Sequence, residues 1–137
     1  MAKRKTALLD AIHTLFNTNK SPQSVSGILE QIKPLGLEPN KTSVYRMLTK
    51  LVTANTLSTF TLKDGVTYYE LLKNNAHHHH FYCQLCAKIF CLDACTVSNL
   101  SKALSSVIPK PGFKVLQHDF NLYGTCDTCV VLQGSPL

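Results

Sequence analysis

Two Cys-x-x-Cys pairs, Cys83/Cys86 and Cys126/Cys129, lie in the second half of the chain, and four consecutive histidines, His77 to His80, directly precede the first pair. One such pair serves redox chemistry as readily as metal binding. Two pairs with the same two-residue gap supply four thiolates, which is the complete tetrahedral shell of a closed structural zinc site. Thiolates are soft donors that suit zinc. A closed shell leaves no position for a substrate, so the expected role is a staple on which a small domain depends for folding. The bland alternatives are four buried free thiols or a dithiol redox pair.

The histidines exceed what that shell can use. In an extended run alternate side chains point to opposite faces, so His78 and His80 share one face and His77 and His79 the other. One strand can then serve two sites. Cys91 and Glu70 are candidate partners for His78 and His80, and a metal held there would sit beside a hinge. His118 is a candidate partner for His77 and His79. The alternatives are surface histidines, a solvated Glu70, a small buried thiol at Cys91 and a structural His118. Cys95 reads as a spare thiol.

The rest of the chain must position these groups. Its 137 residues hold one ordinary domain or two small ones, and 45% hydrophobic content argues for folded cores rather than disorder. No apolar run approaches a membrane span, and Met1–Lys5 are not followed by the apolar region of a signal peptide. The expectation is a soluble, cytoplasmic protein in which paired cysteines bind metal rather than form disulfides. Charge is uneven: residues 1–53 carry eight Lys and Arg against three Asp and Glu, and residues 54–137 carry six against five. All six cysteines fall in the less charged part. A basic, metal-free module joined to a metal-rich one points to nucleic-acid binding by the first.

Apolar spacing predicts a helix over Thr6–Thr18, with Leu8, Ile12, Leu15 and Phe16 inward. Ser21-Pro22 reads as the cap and first turn of a second helix, with Val25, Ile28, Leu29 and Ile32 inward. Pro34, Gly36 and Pro39 should end it, and Asn40 should cap a third helix through about Thr53. Val44, Leu48, Leu51 and Val52 form its apolar stripe, while Ser43, Arg46, Lys50 and Thr53 form a polar face. Lys63-Asp64-Gly65 between the runs Leu57–Leu62 and Val66–Leu71 is a hairpin signal. Three helices followed by a hairpin is the order of a winged helix-turn-helix, whose third helix enters the DNA major groove. Lys41, Ser43, Tyr45, Arg46 and Lys50 are then the candidate DNA contacts, and Lys3-Arg4-Lys5 an arm near the backbone. Residues 73–76 read as a hinge, Phe81–Cys83 and Lys88–Leu92 as strands around the first knuckle, Thr96–Ile108 as a helix, and Phe113–Tyr123 as a strand into the second knuckle.

With these blocks in order, the chain resembles the ferric uptake regulator family over nearly its whole length. Thr42-Ser43-Val44-Tyr45-Arg46-Met47-Leu48 is similar to the family's recognition-helix signature, and Tyr68-Tyr69-Glu70-Leu71 to its wing exit. His77–His80-Phe-Tyr-Cys83-Gln-Leu-Cys86 resembles the histidine-plus-knuckle block, and His118 through Leu122-Tyr123-Gly124-Thr125-Cys126 the final strand. The resemblance implies an α+β protein: a winged helix-turn-helix DNA-binding domain (1–72), a hinge (73–76) and a small α/β dimerisation domain (77–137) stapled by a four-cysteine zinc site. It implies a homodimeric, metal-dependent repressor acting on a double-stranded DNA operator, with neither a membrane nor a small organic substrate as partner. By position, Cys83, Cys86, Cys126 and Cys129 are structural zinc ligands, and Glu70, His78, His80 and Cys91 the regulatory site. His77, His79 and His118 fall at an additional site.

Two departures bear on the signal. Cys91 stands where iron and peroxide sensors of the family usually have a carboxylate, and a softer ligand favours zinc over iron or manganese. Ser98 stands where the additional site usually has a carboxylate, which weakens that site. Lys20–Gln23 also lack a histidine that some members carry. The reading is a zinc-sensing repressor with a second, regulatory zinc; the alternative is an iron(II)-responsive repressor of the same fold. A zinc hydrolase with Glu70 as general base is disfavoured because catalysis needs an open coordination site in a substrate cleft and carboxylates are scarce, and a DNA-binding protein without sensing is a third class.

Overall fold

Straight-chain and small residues at the start of the chain favour helix strongly enough to carry it beyond its apolar face. In a computed structural model, which describes residues 2–72, 79–92, 106–116 and 118–133, helix α1 spans Ala2–Thr18. It takes Lys3, Arg4 and Lys5 into its first turns, where the sequence predicted a free arm. The chain divides into two units, Met1–Ala76 and His77–Leu137.

In the first unit, strand β1 (Gln23–Ser24) precedes helix α2 (Val25–Ile32). The cap of α2 is Ser24 rather than Ser21: its Oγ accepts the Gly27 N–H at 3.1 Å. The cause is non-local, because Gln23 and Ser24 pair antiparallel with Tyr69 and Tyr68, so the helix begins only after them. A single 3-10 turn, Lys33–Leu35, ends at Gly36, whose φ of 78° suits glycine. Helix α3 (Lys41–Thr53) is capped as expected, Asn40 Oδ1 accepting the Ser43 N–H at 2.8 Å.

The apolar stripes meet in one core. Leu8, Ile12, Leu15 and Phe16 of α1 pack with Val25, Ile28 and Ile32 of α2 and Val44, Leu48 and Leu51 of α3. Met47 joins them, while Leu29 and Val52 reach only the margin. Strands β2 (Leu57–Thr61) and β3 (Thr67–Leu71) form the hairpin. Asp64 Oδ1 accepts the Val66 N–H at 2.9 Å, and Gly65 sits at φ 81°. With β1 added, the sheet order is β1-β3-β2, completing a winged helix-turn-helix.

The second unit is a sheet of β4 (His79–Cys83), β5 (Ile89–Leu92) and β6 (Asn121–Gly124) in the order β5-β4-β6. Strand β4 runs antiparallel to β5 and parallel to β6. The strand expected over Phe113–Tyr123 is shorter, Asn121–Gly124, and at residue 120, just before it, the Phe120 N–H is given to the His79 ring rather than to the ladder. A short helix α4 (Asp127–Leu132), which the sequence did not predict, follows β6. The expected hinge lies outside the described residues, as does the expected helix Thr96–Ile108 apart from Ser106–Ile108, which are turn and bend. Helices and sheets together make the α+β architecture.

Candidate metal centre and nucleic-acid face

Each Cys-x-x-Cys begins where a strand ends: Cys83 closes β4, and Cys126 follows β6 and precedes α4. Parallel pairing aligns Cys83 with Gly124, so both knuckles emerge at the same end of the sheet. Antiparallel pairing would put them at opposite ends. The first knuckle is held by Cys83 N–H to Lys88 O (3.0 Å) and Ala87 N–H to Cys83 O (2.9 Å), and Gln84 N–H to Gly124 O (2.8 Å) ties it to β6.

The four Sγ atoms of Cys83, Cys86, Cys126 and Cys129 all lie within 4.8 Å of one another. Cys86 and Cys126 are 3.8 Å apart. Zinc–sulfur bonds of about 2.3 Å in a tetrahedron give sulfur–sulfur edges of about 3.8 Å, so this donor set fits structural zinc. Cys83, Cys126 and Cys129 are buried, with Phe81 packed against them. Backbone N–H groups of Cys86 first, and then Cys126, hold the Cys83 thiol down to about 6. The Cys126 side chain and then burial push Cys129 up to about 12. The cluster therefore favours one thiolate at Cys83 and resists a second at Cys129 until a cation joins them.

Of the histidine run, His79 and His80 fall among the described residues. On β4, His80 lies directly across from Cys91 of β5, and both belong to the second unit. Glu70 lies on β3 of the first unit, opposite Ser58, and is buried. The preceding residue of β4 behaves differently from His80: His79 Nε2 is 3.2 Å from His118 Nε2, and Phe120 stacks on its ring at a centroid distance of 3.7 Å. His77, His78, Cys95 and Ser98 lie outside the described residues.

On α3, burial of Val44, Met47, Leu48 and Leu51 leaves Lys41, Ser43, Tyr45, Arg46 and Lys50 exposed. Ser43, Arg46, Met47 and Lys50 line a groove of about 810 Å³ with Arg4 and Lys5 of α1 and residues 36–40. The first turns of α1 thus add two cations to the α3 face. Their basic character was visible in the sequence, but their place beside α3 follows only from the packing of α1.

The ferric uptake regulator family matches over residues 3–123. A ferric uptake regulation protein of Campylobacter jejuni is 28% identical over 127 residues, which cover 93% of this chain and 77% of that one. The structure of the ferric uptake regulator from Francisella tularensis with iron aligns at a TM-score of 0.72 and 23% identity, over 89% of this chain and 90% of that one. A zinc uptake regulator complexed with zinc and DNA aligns at 0.63 and 17%, over 96% and 84%. At those two identities the likeness is one of fold. Among the described residues no helix is long and apolar enough to cross a membrane. With its winged helix, its four-thiol cluster and a family match across 3–123, the chain belongs to the ferric uptake regulator family of metal-responsive, DNA-binding transcription regulators, which are not enzymes.

Proposed function

We propose that this regulator is a zinc-responsive repressor. Glu70, His78, His80 and Cys91 are the regulatory ligands, and the protein acts as a cytoplasmic homodimer on a double-stranded operator. The observation that carries the reading is the cross-strand opposition of His80 and Cys91, an imidazole and a thiol on neighbouring strands. That pairing is a zinc-preferring combination of donors. Bound zinc supplies a cross-link among these donors. The first unit contributes Glu70, so ligation favours the DNA-competent form only as far as that form holds the metal better than the alternatives.

The DNA face consists of Lys41, Ser43, Tyr45, Arg46 and Lys50, extended by Arg4 and Lys5 along the groove. Arg46 and the other cations suit phosphate oxygens and base edges. Residues 1–72 then act as the DNA-binding domain, 73–76 as the hinge and 77–137 as the dimerisation domain. A second reading, iron(II) as the signal, is favoured by the 28% identical Campylobacter jejuni protein, a ferric uptake regulation protein.

The test is Cys91→Ser, assayed on duplexes selected from a random DNA pool by the zinc-loaded protein. We expect the variant to keep its fold and structural zinc while its DNA affinity loses at least tenfold of its zinc response, about 1.4 kcal/mol of coupling. An undiminished response removes Cys91 from the mechanism.

A further inference from the structure

His79 is 1% exposed, and both of its ring nitrogens are engaged. Nδ1 accepts the Phe120 N–H at 3.3 Å, and Nε2 lies 3.2 Å from His118 Nε2. A backbone N–H can only donate, so His79 Nδ1 carries no proton. A proton on Nε2 is then the one this ring can donate to His118 Nε2.

That arrangement opposes metal. A histidine that ligates through Nε2 retains the proton on Nδ1 and donates it to an acceptor. At His79 such a proton would meet the Phe120 N–H, donor against donor. The separation of the two Nε2 atoms does not decide the matter, because tetrahedral zinc with bonds of about 2.0–2.1 Å has nitrogen–nitrogen edges of about 3.3 Å. What decides it is the engaged Nδ1.

We infer that His79 and His118 are a metal-free clasp: a hydrogen-bonded imidazole pair, stacked on Phe120, that pins residues 118–120 to β4. The clasp sets where β6 begins. It thereby delivers Asn121 opposite His80 and, beyond the end of β6, brings Cys126 and Cys129 to the first knuckle. The family resemblance placed these two histidines in an additional metal site; the donor pattern around His79 does not fit one. The inference is independent of whether zinc or iron is the signal at His80 and Cys91.

The test uses full-length protein labelled with 15N-histidine and carrying its structural zinc. Two-bond 1H–15N correlation reads the tautomers, before and after excess zinc. We expect His79 with its proton on Nε2 and His118 with its proton on Nδ1, both unmoved by zinc. His118→Gln, whose side-chain oxygen still accepts from His79, should keep the wild-type zinc content and the slow exchange of the Phe120 amide. His118→Leu should speed that exchange about tenfold or more. A proton on His79 Nδ1 with Nε2 shifted by zinc overturns the clasp. So does the loss of one zinc equivalent in a folded His118→Gln protein, or an unchanged Phe120 exchange rate in His118→Leu.

Discussion

Cys83 shows how a single residue can serve both metal and fold. Its thiolate is prepared by the Cys86 and Cys126 N–H groups, and its backbone N–H closes the knuckle on Lys88. Cys83→Ser should therefore abolish tight zinc retention and unfold the second unit, read as loss of its thermal transition; an unchanged melting curve contradicts the staple. The pH dependence follows from the same shifts. A thiol lowered from its usual 9.0 to about 6 contributes stability fully above pH 9 and loses it as pH falls through 6. Cys129, raised to about 12, is protonated at neutral pH and must release its proton on ligation. Chelated protein should thus release protons as it takes up zinc at neutral pH, and chelator competition should show zinc affinity falling steadily as the solution is acidified toward pH 6. Affinity that does not vary with pH would exclude four-thiolate ligation. The four-thiol cluster was legible in the sequence from the spacing of its cysteines alone. The tautomer of His79 was not, because it depends on the backbone amide of Phe120, forty-one positions away.

At the scale of elements, local signals were legible wherever the local choice was uncontested. Asn40 caps α3, and the stripes of α1, α2 and α3 fill one core, because caps and apolar periodicity are short-range. Ser21 and Ser24 are equally good local caps, and only the pairing of Gln23 and Ser24 with β3 selects between them. Strand β6 begins later than its sequence pattern predicts, after a residue whose amide is captured by a ring nitrogen, and α4 spans too few residues, barely more than one turn, to leave a periodic signal. The parallel register of β4 and β6, which unites the knuckles, leaves no local signature either. Ile28 is fully buried between the helices, so Ile28→Ala should cost about 2–5 kcal/mol, read by denaturant unfolding of the first unit. A cost below about 1 kcal/mol would contradict its place in the core. Helix α1 also carries a binding prediction. If Arg4 neutralises a phosphate, Arg4→Ala should weaken DNA binding similarly on all sequences and reduce the salt slope by about 1. An unchanged slope removes α1 from the interface.

At the scale of the whole molecule, chemistry is divided along the chain. The basic part holds the helix face and the groove, and the cysteine-rich part holds the staple, the clasp and three of the proposed sensing donors. The sequence showed that division through charge and cysteine placement, and the family match over residues 3–123 makes the chain a metal-responsive DNA-binding regulator. The proposed switch is driven by zinc rather than ferrous iron. It is tested most directly by titrating selected duplex DNA with protein that retains its structural zinc, across buffered free zinc and, anaerobically, across free iron(II). We expect at least a tenfold rise in DNA affinity with zinc, a coupling of about 1.4 kcal/mol, and a smaller rise with iron(II). Affinity that is flat across free zinc, with a rise driven by iron(II), would contradict it.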